Sequence, residues 1–349
     1  MKRVIAICLT LVLVFSLCAC GQSDKPVTEK ATEGVVEKTE TESAKSGFTM
    51  GVVVKVDVPW FDRLNQGLQR YAEEYGCTIN LYAPSSPDAS QQVAYIEDLI
   101  AQQVDVIGII PVSTEALETV LQKARDQGIV VVSHEAPTLK NTDADVEAFT
   151  DEAFGEFFMQ SLAKAMNYEG EYATIIESLM NPNHNIWTDS AIAYQVANYP
   201  DMTCVSSKNE TNADVSQAQS ICEELMKTYP NLKGIMGTGS ADIVGAGLAI
   251  ENKGMIGKIA AVGCTSPADA AQYLESGSVS MIGLWDPANA GYAMCKLAQM
   301  VIDGTTTFED GVDLGIEGYN SCSVHDKVYV VGNAMMGCYA GDDVSGLGF

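Results

Sequence analysis

The sequence from residue 48 onward predicts an α/β fold of two doubly wound parallel-sheet lobes. Three observations carry this expectation. Short β-branched runs alternate with amphipathic stretches at helical spacing. Several of those runs, such as Val104-Asp-Val-Ile-Gly-Ile-Ile and Ile129-Val-Val-Val, are almost continuously apolar, as strands covered on both faces require. The alternation also closes once near residue 135 and then restarts, so the chain contains two such units.

In order, Phe48 to Val56 reads as a strand. Pro59 to Tyr75 reads as a helix, with Phe61, Leu64, Leu68, Tyr71 and Tyr75 at helical spacing. Cys77 to Tyr82 is the next strand, Asp88 to Gln102 a helix, Val104 to Ile110 a strand, Thr114 to Gln127 a helix and Ile129 to Ser133 a strand. The second unit has strands near 146–149, 171–177, 202–208, 234–238, 258–263 and 279–285, alternating with helices near 151–166, 185–198, 212–228, 240–252, 267–276 and 288–303. Crossovers between parallel strands are right-handed. Open parallel sheets bind ligands beyond the carboxyl ends of their strands, so the cleft between two facing lobes is the expected site.

The N-terminus stands apart. Lys2 and Arg3 precede an apolar run from Val4 to Leu17, too short to span a bilayer, and Leu17-Cys-Ala-Cys20 closes it with small residues. The closing string resembles a bacterial lipobox, which implies a signal peptide over 1–19 and lipid attachment to Cys20. Residues 20–47 lack aromatics before Phe48 and are rich in Ser, Thr, Glu and Lys, a composition that favours a disordered tether. As a flexible coil of about 26 residues it reaches roughly 28 Å.

Composition excludes some functions. The formal charge is −26 with only 20 Lys plus Arg, which argues against nucleic acid as a partner. Such an acidic surface suits a soluble monomer. Ten cysteines include no CxxC spacing, so neither a metal site nor a redox motif is expected. Cys322 and Cys338, both in the C-terminal tail, are the candidate disulfide. The three histidines form no HExxH string, there is no GxSxG elbow or P-loop, and Gly237-Thr-Gly239 lacks a third glycine. Catalysis and cofactors are therefore not expected.

The strings Met50-Gly-Val-Val-Val-Lys-Val-Asp-Val-Pro-Trp-Phe, Gln91-Gln-Val-Ala-Tyr-Ile-Glu-Asp-Leu-Ile, Val104-Asp-Val-Ile-Gly-Ile-Ile-Pro-Val-Ser and Ala218-Gln-Ser-Ile-Cys-Glu-Glu-Leu-Met resemble the type I periplasmic binding proteins of the ribose-binding kind. Gly283-Leu-Trp-Asp-Pro and Ala261-Val-Gly-Cys-Thr-Ser-Pro are most similar to the autoinducer-2 and rhamnose-binding branch. The resemblance covers residues 48 to about 305. It implies an exported, lipid-anchored solute-binding protein of an ABC importer, on the outer face of the cell membrane, which closes on a small sugar-like ligand and docks on a membrane permease. A sensory receptor for the same kind of ligand is the alternative. It further implies that the two lobes are joined by a three-segment hinge, with crossovers near Glu135 to Pro137, Asp286 to Pro287 and residue 305. One lobe then comprises 48–135 plus 287–304, and the other 136–286 plus the 305–349 tail.

The resemblance and the loop positions together nominate binding residues. Lys55 and Asp57 follow the first strand, and Trp60 and Phe61 stand where ribose-type proteins stack an aromatic pair on the sugar; one ring packing the rim between lobes is the alternative. Lys55, an ammonium on an apolar strand, needs a polar ligand or a carboxylate such as Glu135 or Asp286. Glu135 replaces the family's usual Asp, and His134 either touches ligand or supports it. Asn183 and His184 fall where the autoinducer-binding branch has an acid and an amide. Thr238 and Ser240 offer hydroxyls, although Ser240 also suits a helix N-cap. Thr265, following Cys264, stands where ribose binders have an aromatic and an acid. Trp285 and Asp286 present a ring and a carboxylate, with Asp286 also suited to a turn before Pro287.

Overall fold

The computed structural model describes residues 47–349. The expected signal peptide, nearly all of the tether and the lipidation site Cys20 lie outside these residues. The first lobe opens with β1 (Thr49–Val53), α1 (Pro59–Tyr75), β2 (Thr78–Tyr82), α2 (Ala89–Gln102), β3 (Val106–Ile109), α3 (Thr114–Asp126), β4 (Val130–His134) and β5 (Ala144–Glu147). There follow α4 (Asp151–Ala165), β6 (Gly170–Ile176), α5 (Pro182–Asn198), β7 (Met202–Glu210), α6 (Val215–Thr228), β8 (Leu232–Gly237), α7 (Ser240–Asn252), β9 (Ala260–Cys264), α8 (Pro267–Ser276) and β10 (Met281–Leu284). The chain ends with α9 (Pro287–Ile302), β11 (Ser323–His325), β12 (Tyr329–Val331) and β13 (Met336–Tyr339).

Among the described residues these strands form two sheets, ordered β11-β12-β5-β4-β3-β1-β2 and β13-β10-β9-β8-β6-β7. The pairs made by β1 to β10 among themselves are parallel, as the apolar runs predicted. The tail supplies the antiparallel pairs, β11 with β12 and β13 with β10. Each sheet is covered by helices on both faces. In the first lobe Met50, Val52, Leu64, Leu68, Met294 and Leu297 are buried on one side of the sheet, and Val53, Ile96, Leu99, Ile107 and Leu121 on the other.

Two expected boundaries are corrected. Strand β5 was assigned to the second lobe, with the first crossover near Glu135 to Pro137. It instead pairs in parallel with β4, Val132 opposite Ala144 and His134 opposite Val146, so the chain leaves the first lobe only after Glu147. The third crossover was expected near residue 305 with the tail in the second lobe. The tail instead stays in the first lobe long enough to add β12 beside β5 and then crosses to place β13 on β10. The crossovers therefore lie at 148–150, 285–286 and 332–335. The second of these follows β10 directly, and beyond it α9 packs on α1 and the first sheet. The tail is also where the candidate disulfide fails: Cys322 lies beside Val312 in the first lobe, Cys338 sits on β13 in the second sheet, and both are free thiols.

Local sequence explains the helix starts that matter for the cleft. Asp88, Ser113, Thr150, Asn181, Asp214 and Ser266 each accept a backbone N–H of the first helical turn. Asn181 with Pro182 behind it starts α5 three residues earlier than periodicity alone suggested, which places Asn183 and His184 in the helix's first turn rather than in a loop. At Gly67 of α1 a Cβ would stand 1.7 Å from the Ala288 carbonyl oxygen, so this glycine lets α1 and α9 approach. Gln92 of α2 is fully buried, and its amide N–H groups donate to the carbonyls of Val54 and Ile110 while its oxygen accepts from the Val112 N–H. One side chain thus ties together the chain segments leaving β1 and β3, the first of which carries Lys55 to the cleft. Gln92→Leu keeps the volume but leaves these backbone groups without a partner; it should lower the unfolding free energy by about 3 kcal/mol, read as a lower urea midpoint at unchanged slope.

Candidate binding cleft

A cavity of about 330 Å³ lies where the carboxyl ends of both sheets converge. The first lobe contributes Lys55 after β1, His134, Glu135 and Pro137 at and beyond β4, Glu147 of β5 and Tyr329 of β12. The second contributes Asp151 of α4, Glu177 and Asn181 between β6 and α5, Asn183, His184 and Trp187 of α5, Thr238, Gly239 and Ser240 around the start of α7, and Cys264. Ala148, Phe149 and Trp285 come from the crossovers themselves. Another hollow of about 530 Å³ sits at the opposite end of the first sheet, near Phe48, Asp105 and Ile129, away from the strands' carboxyl ends.

Eight of the thirteen nominated residues meet in this cavity: Lys55, His134, Glu135, Asn183, His184, Thr238, Ser240 and Trp285. Five do not line it. Phe61 is buried in the first lobe's core. Trp60 stands behind the wall, edge-on to Trp285 at 4.8 Å and to Phe349 at 5.6 Å, the rim-packing alternative. Asp57 is exposed, its N–H donated to the Pro84 carbonyl. Asp286 takes two N–H groups of Arg63 at 2.9 and 2.6 Å and caps α9 through the Ala288 N–H, the turn role. Thr265 is buried beside Cys264 with its hydroxyl unpartnered. Ser240 is the first residue of α7, whose N-cap is Gly239.

Sequence reasoning missed Glu147, Asp151, Glu177, Asn181, Trp187 and Tyr329. Glu147 had a signal of the same kind that singled out Lys55, a charge inside the apolar run 144–149. Asp151 and Asn181 read as ordinary helix-start residues, and only the fold turns those helix starts toward the cleft.

The electrostatics follow from burial and pairing. Lys55 Nζ donates to Glu135 Oε2 at 2.5 Å. Burial alone would raise the Glu135 carboxyl, but the Lys55 ammonium, His134 and the hydrogen bond from Lys55 hold it below the usual range. Glu135 is also a non-glycine residue at φ 53°, a left-handed conformation that costs roughly 1 kcal/mol or more and turns its side chain toward Lys55 directly after β4. Behind this pair, burial and the neighbouring carboxylates of Asp145 and Glu135 push Glu147 well up, while one Glu147 oxygen accepts the Ala136 N–H. Asp145 is raised too, chiefly by burial, and accepts from the Ser133 hydroxyl. Across the cavity Asp151 accepts from Trp187 Nε1 at 2.6 Å and from Asn183 Nδ2, yet burial raises it. Burial and then Asp242 raise Glu177. Burial pushes His184 down to about 4, so its ring is neutral at neutral pH.

Several cavity groups are left without partners. Trp285 Nε1, Thr238 Oγ1, His184 Nδ1 and His134 Nε2 are buried and unsatisfied, the last because His134 Nδ1 donates to the Val146 carbonyl at 2.6 Å. Unmet polar atoms of this kind are rare in folded proteins and each calls for an explanation; four of the eight found among the described residues border this one cavity. Four aromatic rings, those of Phe149, Trp187, Trp285 and Tyr329, supply apolar faces around them. Binding by shape, stacking and hydrogen bonds is what such a set can do.

The family model for the periplasmic binding protein domain matches residues 50–306. The chain belongs to the periplasmic binding protein family. It is 23% identical over 306 residues to the ribose import binding protein RbsB of Bacillus subtilis, covering 87% of this chain and 94% of that one. Among solved structures it superposes on a sugar ABC transporter protein from Actinomyces odontolyticus with a TM-score of 0.75 at 20% identity, covering 84% and 95% of the two chains. LsrB from Clostridium saccharobutylicum, solved in complex with AI-2, gives 0.65 at 20% identity over 84% and 97%. These likenesses confirm the two-lobed type I fold of periplasmic binding proteins that the sequence predicted.

His184 gives a test of the electrostatics. Its unfolded value near 6.5 exceeds its folded value, so below pH 6.5 the unfolded chain takes up a proton that the native cavity refuses until about pH 4. The stability this group supports is complete above pH 6.5 and is lost as pH falls toward 4, a total of about 3 kcal/mol. The raised carboxylates run the other way, so the readout is a difference. Unfolding free energy of the protein minus that of His184→Gln should fall by about that amount between pH 7 and pH 4. A difference that stays constant with pH contradicts the assignment.

Proposed function

We propose that this protein is the exported solute-binding component of an ABC importer and that the interlobe cavity binds a small sugar or sugar-like molecule. The observation that carries this reading is the set of buried, unpartnered Trp285, Thr238, His134 and His184 atoms converging from both lobes on one cavity. A hydroxyl both donates and accepts, so a polyhydroxylated ligand can meet the indole N–H and the imidazole nitrogens at once, while its C–H faces lie on the aromatic rings. RbsB and the other sugar-binding relatives support the same class of ligand.

The mechanism in this reading is a hinged clamp. Three short crossovers are the covalent links between lobes, so bending them opens the cavity, and a ligand touching both lobes shifts the population toward closure. The closed form then docks on the permease. Export and anchoring follow from the lipobox-like Leu17-Cys-Ala-Cys20, which attaches the chain to the outer face of the membrane. In this reading the protein acts as a monomer and binds its ligand without cofactor or catalysis. The residues we assign to the ligand are the eight nominated ones in the cavity together with Glu147, Asp151, Glu177 and Trp187.

Differential scanning calorimetry against pentoses, hexoses, deoxysugars, polyols and autoinducer-2 tests this. A ligand present at a hundred times its Kd stabilises the folded state by about 2.7 kcal/mol, which is roughly 5 °C for a protein of this size. Asp151→Asn should weaken that ligand by about tenfold or more. No shift with any member of the panel contradicts the sugar reading.

A further inference from the structure

We infer that the ligand of this cavity carries a protonated amine beside its hydroxyl groups, as an amino sugar or amino polyol does, and that the amine sits on Glu177. This rests on the reading of the cavity as a sugar-type site.

The first ground is an imbalance of charge. Glu135, Asp151 and Glu177 line a cavity of about 330 Å³ that also holds Glu147, a carboxyl pushed well up by burial and by Asp145, whereas Lys55 is the single Lys or Arg side chain in the wall. That ammonium is already committed, 2.5 Å from Glu135. His184 adds no charge at neutral pH, since burial holds it down to about 4. A neutral sugar leaves the acidic excess where it is. A cationic one offsets it.

The second ground is that the four acids are not equivalent. Glu135 has Lys55, and Glu147 has the Ala136 N–H and the adjoining carboxyl of Asp145. Asp151 has the Trp187 indole and the Asn183 amide. Glu177 accepts no hydrogen bond from the described residues, and its nearest basic atom, His184 Nδ1, is 3.9 Å away. The start of α7 passes so close that a Cβ on Gly239 would meet Glu177 Oε2 at 2.4 Å. Yet the Thr238 and Gly239 N–H groups there both turn inward to Asp242 Oδ2, at 3.0 and 2.8 Å, and Asp242 is itself an acid. Glu177 is thus a half-buried carboxylate with the acid Asp242 close by and no donor of its own.

The third ground is independent of charge. Thr238 is 1% exposed, lines the cavity beside Glu177's neighbour Gly239, and its hydroxyl, which lies against Asp242, accepts no hydrogen bond; His184 Nδ1 beside Glu177 has no partner. These two atoms place unmet hydrogen-bonding capacity of the second lobe beside Glu177 and its neighbour Gly239. An ammonium group has three donors. It can bond Glu177, Thr238 Oγ1 and the lone pair of neutral His184 together, and the aromatic rings of the wall favour a cation further.

Isothermal titration of the protein compares D-glucosamine, D-galactosamine and D-glucamine with D-glucose, D-galactose, D-sorbitol and N-acetyl-D-glucosamine. The expected result is binding of an amine at least about tenfold tighter than its neutral parent and its N-acetyl form, with Glu177→Gln abolishing that preference while the melting temperature of the unliganded protein moves little. Neutral parents binding as tightly as the amines overturns this inference and leaves the sugar reading standing. An amine preference that survives Glu177→Gln overturns the seat assigned to Glu177. Binding of no compound in either set overturns this inference, and the sugar reading falls with it when the calorimetric panel is silent as well.

Discussion

Two backbone hydrogen bonds hold the arrangement on which the cleft depends. The Gly332 N–H donates to the Glu147 carbonyl at 2.8 Å and the Ala334 N–H to the Ala148 carbonyl at 2.9 Å, so the first and third crossovers run side by side as they leave the first lobe. The pairing begins within the sheet, where β12 lies parallel to β5, and continues past its edge. Glu147 and Tyr329 belong to these two adjacent strands, and Phe149 to the crossover itself, so the same ladder that joins the lobes also positions three of the cavity's side chains. The second crossover is fixed differently, by Asp286, which caps α9 and takes the Arg63 guanidinium. Its neighbour Trp285 is thereby held over the cavity with Trp60 packed behind it.

Most of the alternation of strands and helices was legible because each element is a local statement. Val104 to Ile110 and Ile129 to Ser133 are apolar on both faces, and only a parallel strand between helices accommodates that. The lobe boundary was not local in this sense. Val146 to Phe149 reads as a strand whichever sheet receives it, and the choice between sheets is made by the edge that β4 leaves open and by β12, almost two hundred residues later in the chain. The tail was illegible for a related reason. Strands β11 to β13 are three or four residues long, below the length at which periodicity separates a strand from a turn, and they are stable only as additions to edges that already exist.

The cleft was legible to the extent that its residues break a local pattern. Lys55 on an apolar strand and Glu135 after another stand out because a charge there has to be explained, and each proves to be the other's partner. Phe61 and Trp60 looked like ligand contacts because aromatics near a strand end fit stacking as well as they fit packing, and the helical phase that points Phe61 into the core is one residue away from the phase that would point it outward. Asp151 and Trp187 carry no such mark. An acid in a first helical turn is ordinary, and a tryptophan among Phe154 and Phe158 is ordinary core. Only tertiary structure brings the indole N–H to the carboxylate and both to the cavity.

The pairing scheme also sets limits on how the site can be reshaped. Lys55 with Glu135, and Asp151 with Trp187 and Asn183, are closed units in which removing one partner leaves a buried group uncompensated, a larger penalty than the net value of the contact itself. Glu147 is bound to the second buried acid, Asp145, and to the backbone of Ala136, so its replacement disturbs the wall behind it. Glu177, Thr238 and Ser240 have no such obligations on the cavity side. Specificity can therefore change at the start of α7 and the end of β6 at little cost to folding, while the first-lobe side of the cavity is held by its own hydrogen bonds. The adjustable part of the wall is therefore one stretch of the second lobe, around Glu177 and the start of α7, and it lies between two closed units, Lys55 with Glu135 on one side and Asp151 with Trp187 and Asn183 on the other.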